Sequence, residues 1–252
     1  DEIVHRTEIF SNLSGLDIGE TVTPAALVRV LTHSNGGQKN IPAGARKIVL
    51  LNQADTTELQ SIAHGMVDSL LPSFDAVVVS SLAEENFFAV HEPIAGIILA
   101  AGESARFGKP KQLLDWKGEP FVHAVARTAL EAGLSPVIVI VGANGEQVEA
   151  AVADLNVFIV KNDEWKSGQG SSIKAGISKL THSPTSTGGA IFLLADQPQI
   201  TTSIIRALTE KHAEGLYPII APLVLDQRAN PVLFDRVAFS DLLGIEGDVG
   251  GR

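Results

Sequence analysis

The sequence predicts an α/β protein in which a mostly parallel sheet, carried by residues 94–252, is preceded by a small α/β segment. Three observations point there. Short β-branched runs alternate with amphipathic helical stretches from Ile94 onward. A glycine-rich turn follows the first of those runs. The chain of 252 residues, 45% hydrophobic and 19% charged, is long and apolar enough to bury a sizeable core.

The elements follow in order. Thr23-Pro24 opens a helix as a cap residue with Pro at the first helical position, and Ala25, Leu27, Val28, Val30 and Leu31 form its apolar side. A turn-rich stretch leads to the buried strand Ile48–Leu51, a helix over 56–71 and a second buried strand, Ala76–Val79. These form one βαβ unit within residues 1–81. Glu84, Glu85, Asn86 and Pro93 make residues 82–93 read as a linker. Beyond it come strand Ile94–Ala100, helix Phe121–Ala132 ending at Gly133, strand Val137–Val141, helix Glu146–Asp154 and strand Val157–Val160. Helix Ser171–Leu180, strand Ala190–Leu194, helix Thr202–Glu214 and strand Ile219–Ala221 complete the series. Ligands of such sheets sit beyond the carboxyl ends of the strands.

Composition narrows the function. Nineteen Lys and Arg against 29 Asp and Glu give a net charge of −10, which argues against nucleic acid as a partner. A small phosphorylated ligand in a local basic pocket stays open. The absence of cysteine excludes disulfides, thiolate metal sites and thiol nucleophiles, and fits a cytoplasmic location. No stretch reaches the roughly 20 apolar residues of a membrane span, so no membrane partner is expected. Asp1-Glu2-Ile3-Val4-His5-Arg6 has neither an initiator Met nor a signal peptide's apolar centre, and reads as the start of a piece of something longer. Seven scattered histidines show no zinc spacing, and no G-x-S-x-G elbow supports acyl transfer.

The chemistry concentrates in Leu99-Ala100-Ala101-Gly102-Glu103-Ser104-Ala105-Arg106-Phe107-Gly108-Lys109-Pro110-Lys111. Small residues directly after a buried strand let backbone N–H groups approach a phosphate. Arg106 offers a planar fork for pyrophosphate oxygens and Lys111 a point charge on a long stem. Five residues separate Gly102 from Gly108 and Pro110 follows Lys109, so this is not a Walker A loop. Two glycines rather than three exclude the dinucleotide fingerprint.

Ala-Ala-Gly-x-Ser-x-Arg-Phe-Gly-x-x-Lys followed by Gln112-Leu113-Leu114 resembles the signature of the Rossmann-like nucleotidyltransferases, and among them most resembles the molybdenum cofactor cytidylyltransferases. The likeness continues through Ser167–Gly176, Asp196-Gln197-Pro198, Arg228–Val232 and Gly247–Gly250. It implies a Rossmann-like nucleotidyltransferase domain that moves CMP from CTP to a phosphate of molybdopterin and releases pyrophosphate, with Mg²⁺ as the metal. A molybdenum hydroxylase stays open as a further partner. By resemblance, Arg106 and the loop backbone at Leu99, Ala100, Ala101, Gly102 and Ser104 hold the β- and γ-phosphates, with Lys111 nearer the α-phosphate. Gly168, Ser171 and Ser172 join the nucleotide side. Arg228 and Asn230 face the molybdopterin side, and Asp196 and Asp248 bind the metal.

Residue chemistry alone leaves alternatives. Asp196 can cap the next helix or order its turn, Asp248 can be a turn residue, and Ser171 and Ser172 can simply be N-caps. Arg228 can form a surface ion pair. Relatives usually carry Gly where this chain has Ala229, which would be strained if the backbone there needed positive φ. By resemblance, Ala100-Ala101-Gly102 implies CTP rather than GTP, since guanylyltransferase relatives usually read Ala-Gly-Gly there. Two further functions stay open: a CTP-dependent transferase acting on a sugar or polyol phosphate, and a non-catalytic molybdenum cofactor carrier.

Val4–Glu8, Gly36–Pro42 and Leu50–Asp55 resemble the C-terminal portion of the selenium-dependent hydroxylase accessory proteins, a P-loop-like family. Its phosphate loop lies upstream of anything in this chain, and Gln53 replaces the Lys of the guanine-reading Asn-Lys-x-Asp turn. A packing or docking role is expected for residues 1–81, without independent NTPase activity.

Overall fold

The computed structural model describes residues 48–52, 54–81, 86–103, 109–183 and 187–245. The predicted Thr23–Pro24 helix, and with it Ser104, Arg106 and Asp248, lie outside the described residues. The chain forms two compact units, residues 1–92 and 93–252.

In the first unit, β1 (Ile48–Leu51) and β2 (Ala76–Ser81) pair in parallel across the helix α1 (Thr57–Leu70). Thr56 caps that helix by accepting from the Leu59 N–H at 3.3 Å, and Ala63, Val67 and Leu70 form its buried side. Val49, Val77, Val78 and Val79 are fully buried. The turn after β1 is tied to the end of β2: Ala54 N donates to Ser80 O at 3.0 Å, and the Ser81 hydroxyl donates to the Asp55 carboxylate. The expected linker over 82–93 needs correction, because β3 (Asn86–His91) pairs antiparallel with β2. Its acidic neighbours suggested a loop. The run Phe87-Phe88-Ala89-Val90 has strand-forming side chains, however, and buries Ala89 and Val90.

The second unit is built on β4 (Ile94–Ala100), followed by a small hairpin, β5 (Asp115–Trp116) and β6 (Glu119–Pro120). Then come α2 (Phe121–Glu131), β7 (Val137–Val141), α3 (Gly145–Ala151), β8 (Phe158–Lys161), α4 (Gln169–Thr181), β9 (Gly189–Leu194) and α5 (Thr202–Gly215). The unit ends with β10 (Ile219–Ile220), the hairpin β11 (Leu223–Val224) and β12 (Gln227–Arg228), β13 (Val232–Asp235) and α6 (Phe239–Gly244). The main sheet runs β10-β13-β9-β4-β7-β8. Its strands β9, β4, β7 and β8 are parallel, while β13 runs antiparallel between β10 and β9. The mostly parallel α/β sheet expected from the sequence is therefore present, with β13 as an unpredicted addition.

Period-two side chains explain the coverage of both faces. Ile94, Ile98 and Ala100 of β4 join the core beneath α2 and α5, with Val122, Val125, Ile205 and Leu208. Ala95 and Ile97 face α4 and α6, with Ile173, Ile177, Phe239 and Leu242. Gly176 lets α4 lie directly on the sheet: a Cβ there would come within 2.7 Å of Ile97 Cγ2. Helix α2 stops where its glycine predicted. Gly133 has φ +90°, Leu134 N donates to Ala129 O, and Gly133 N to Leu130 O, which together make a Schellman cap. Among the described residues no helix is long and apolar enough to cross a membrane.

Candidate nucleotide site

The parallel strands β4, β7, β8 and β9 end on one side of the sheet, and the polar groups gather there. Ala100 and Ala101 are buried at the end of β4, Leu99 is half-buried, and Gly102 emerges into solvent. The chain returns at Lys109-Pro110 and tightens into a 3-10 turn over Lys111–Leu113. Lys111 is half-buried, and Gln112 beside it is only 4% exposed. The Gln112 side-chain amide donates to Gly102 O at 3.1 Å and reaches Ala100 O at 3.4 Å. Ala101 O accepts from Ala143 N at 3.3 Å. This contact needs Gly142 on the β7 side, because a Cβ there would lie 2.6 Å from Ala101 O and 2.9 Å from Trp165 Cβ.

Asn162 anchors the loop after β8. It is buried, and its Nδ2 donates to the Ser171 hydroxyl at 2.8 Å and the Ser172 hydroxyl at 3.0 Å. Its Oδ1 accepts from Glu164 N at 3.0 Å, and its own N–H donates to Val141 O at 2.8 Å. The Ser171 hydroxyl lies 2.8 Å from Gly168 O and 3.0 Å from Glu164 O. The two serines therefore do not cap the helix. Helix α4 starts earlier than the sequence suggested, with Gly168 at the cap position at φ 111°, a backbone that favours glycine. Ser171 and Ser172 instead brace its first turn against the β8 loop.

Two cavities open at this edge. One of about 400 Å³ is lined by Gly142, Asn144, Lys161, Asn162, Asp163 and Trp165. The Asn144 Nδ2 donor is buried there with no hydrogen-bond partner among the described residues. The other, of about 530 Å³, brings Leu99, Gln169, Phe192, Leu194, Arg228 and Asn230 around one space. Ala229 is not among the positive-φ residues, so alanine at that position is unstrained. Asp196 is exposed in the turn after β9, where Gln197 N bonds back to Leu194 O and Ala195 N to Leu99 O. Thr201, not Asp196, occupies the cap position of α5. Among the described residues no cluster of three His, Cys, Asp or Glu side chains could hold a metal by itself.

The sequence reading singled out neither Asn162, which braces α4, nor Asn144, whose donor is buried in the cavity. Asn162 follows β8 directly and Asn144 lies three residues beyond β7, and that place past a strand's carboxyl end was the available signal. Away from this edge, Glu119, His123, Arg127 and Asp154 form a charged network. The Arg127 hydrogen bonds hold Glu119 below the usual carboxylate range, with help from His123. Burial pulls the His123 pKa down, but bonds to Glu119 at 2.5 Å and Asp154 at 3.2 Å outweigh it and leave the pKa raised.

A family model described as "MobA-like NTP transferase domain" matches residues 96–252. The protein named nicotine blue oxidoreductase from Paenarthrobacter nicotinovorans is 33% identical over 169 residues, spanning 63% of this chain and 79% of that protein. The purine catabolism protein PucB of Bacillus subtilis is 30% identical, spanning 63% of this chain and 78% of that protein. Among solved structures, Rv0371c of Mycobacterium tuberculosis aligns with a TM-score of 0.55 at 28% identity, over 63% of this chain and 79% of that one. The same protein has also been solved in complex with manganese, and that structure aligns with a TM-score of 0.51 at 26% identity, covering 62% of this chain and 78% of that one.

Proposed function

We propose that this chain, which belongs to the MobA-like NTP transferase family, moves CMP from CTP to a phosphate of a molybdopterin-type cofactor. The acceptor's phosphate oxygen attacks the α-phosphorus, the bond to the β-phosphate oxygen breaks, and pyrophosphate leaves. Charge gathers on the α-phosphate and the leaving oxygen, so catalysis is chiefly positioning and electrostatic stabilisation. The observation that carries this reading is the stem of the β4 loop. The carbonyl oxygens of Ala100, Ala101 and Gly102 are all engaged by protein donors, and Leu99 just before them lines the cavity of about 530 Å³.

In this reading the backbone at Leu99, Ala100, Ala101, Gly102 and Ser104, together with Arg106, receives the β- and γ-phosphates, while Lys111 serves the α-phosphate. Gly168, Ser171 and Ser172 shape the nucleotide side through the Asn162 brace, and the Asn144 amide meets an acceptor atom of the base. Arg228 and Asn230 face the acceptor. Asp196 and Asp248 of this chain, as hard carboxylates, would hold Mg²⁺ or Mn²⁺, which commonly takes one or two protein oxygens and completes its shell with phosphate and water. When bound, that ion supplies charge to the developing oxyanions. The manganese complex of Rv0371c supports a divalent ion.

The molybdenum connection rests on the sequence resemblance, and a molybdenum hydroxylase is the expected downstream recipient. The Ala-Ala-Gly sequence supports CTP over GTP. The test is pyrophosphate release with each of the four NTPs, Mg²⁺ and molybdopterin. CTP is expected to be preferred, and Lys111→Ala to lose turnover by about 100-fold or more, the scale of a lost transition-state charge contact. Oxidation or reduction of nicotine blue in place of pyrophosphate release would instead favour the chemistry in the name of the Paenarthrobacter relative.

A further inference from the structure

We propose that Gln112 is a positioning residue that sets the direction of the phosphate-binding amides. This inference rests on reading the β4 loop as a triphosphate site. Gln112 sits ten residues beyond Gly102, in the 3-10 turn where the loop re-enters the fold, and it is 4% exposed. A buried amide must be matched by hydrogen bonds. This one spends its NH2 on the carbonyl oxygens of residues 100 and 102.

The consequence lies in the peptide planes. In a trans peptide the N–H points opposite to the preceding C=O. Turning the Ala100 and Gly102 carbonyls toward one NH2 group therefore turns the N–H groups of Ala101 and Glu103 together, away from Gln112. Two amides aimed the same way form a concavity for an anion. Gln112 also joins the loop's exit to its entry, so less ordering entropy remains to be lost when a ligand binds. It touches no reacting atom. Methionine could fill the same space, but it has no donor to hold either carbonyl.

Steady-state kinetics on the whole chain tests this with Gln112→Met and Gln112→Glu. Gln112→Met is expected to raise KM for CTP about tenfold, the scale of one or two lost hydrogen bonds. KM for the acceptor should stay near wild type. Gln112→Glu places a carboxylate against two carbonyl oxygens, so at alkaline pH it should bind CTP more weakly than Gln112→Met. As pH falls the protonated carboxyl regains a donor, and its KM for CTP should move toward wild type while the ratio for Gln112→Met stays flat. The pH profile decides the matter even if Gln112→Met folds poorly.

The inference fails if Gln112→Met keeps the wild-type KM for CTP. It fails equally if both KM values rise in step with lost thermal stability, since that is damage to the fold. A wild type that releases no pyrophosphate from CTP overturns the site reading itself. That outcome differs from the failure of Gln112 alone, in which the wild type turns over and the variant matches it.

Discussion

Gly142→Ala is a demanding test of the site's packing, because the structure specifies what the new methyl group meets. Its carbon would stand 2.6 Å from Ala101 O, 2.9 Å from Ala101 Cβ and 2.9 Å from Trp165 Cβ. None of these atoms is the far end of a flexible side chain, so backbone has to move. Overpacking of this kind costs about 1–3 kcal/mol, and the strain falls on the stem of the β4 loop. Gly145, three residues on, is the internal control. The nearest neighbour of a Cβ there is Val141 Cγ2 at 3.4 Å, an acceptable contact, and Ala in the first turn of α3 gains up to about 1 kcal/mol of helix propensity. The two substitutions should therefore differ in sign. Both tryptophans of the chain, Trp116 and Trp165, lie in the second unit, so urea unfolding followed by tryptophan fluorescence reads that unit selectively. The expected result is a lower midpoint for Gly142→Ala with weakened CTP binding, and an equal or higher midpoint for Gly145→Ala. Equal midpoints for the two variants would refute the reasoning that Ala101, Gly142 and Trp165 form one rigid contact.

Three further outcomes follow from the electrostatics and the bracing. Because its bonds to Glu119 and Asp154 raise the pKa of His123, that interaction contributes stability fully below the ordinary value of 6.5 and loses it as pH rises through the folded value. The gap between wild type and His123→Gln in urea titrations should thus be widest in mild acid and close toward alkaline pH, staying below about 1 kcal/mol at this partly exposed site. His212 and Asp235, each 1% exposed and 2.7 Å apart, form a buried pair between α5 and β13. His212→Ala takes the partner from Asp235 Oδ2 while Val237 N–H still serves its Oδ1, and a loss of about 1–3 kcal/mol is expected in the same assay. Asn162→Leu removes the three side-chain hydrogen bonds that brace the β8 loop against α4; of that loss the part felt by the nucleotide should raise KM for CTP several-fold in pyrophosphate-release kinetics.

Much of the fold was legible because buried parallel strands are written as unbroken β-branched runs. Ile94–Ala100 and Val137–Val141 match their observed strands residue for residue, and Gly133 marked the end of α2. Two strands of the larger sheets escaped, each for its own reason. Strand β13 lies beside β9, some forty residues earlier, and shares its run with the Arg228–Val232 motif, so it read as part of a loop. Strand β3 was hidden by the charges flanking its aromatic pair. In the proposed site, the β4 loop drew attention in the sequence through its small residues and cations. The braces were not: that Asn162 holds Ser171 and Ser172, or that Gln112 holds the loop stem, depends on which groups the fold buries together. A polar side chain in a turn looks the same in sequence whether it faces water or a buried carbonyl.

The most direct test of the central claim is a crystal structure of the chain with CTP and Mg²⁺. The account predicts the triphosphate within hydrogen-bonding reach of the backbone at residues 100–104, with Lys111 beside the α-phosphate and the base in the cavity at Asn144. A nucleotide seated away from that loop, or phosphates turned from Lys111, would contradict it.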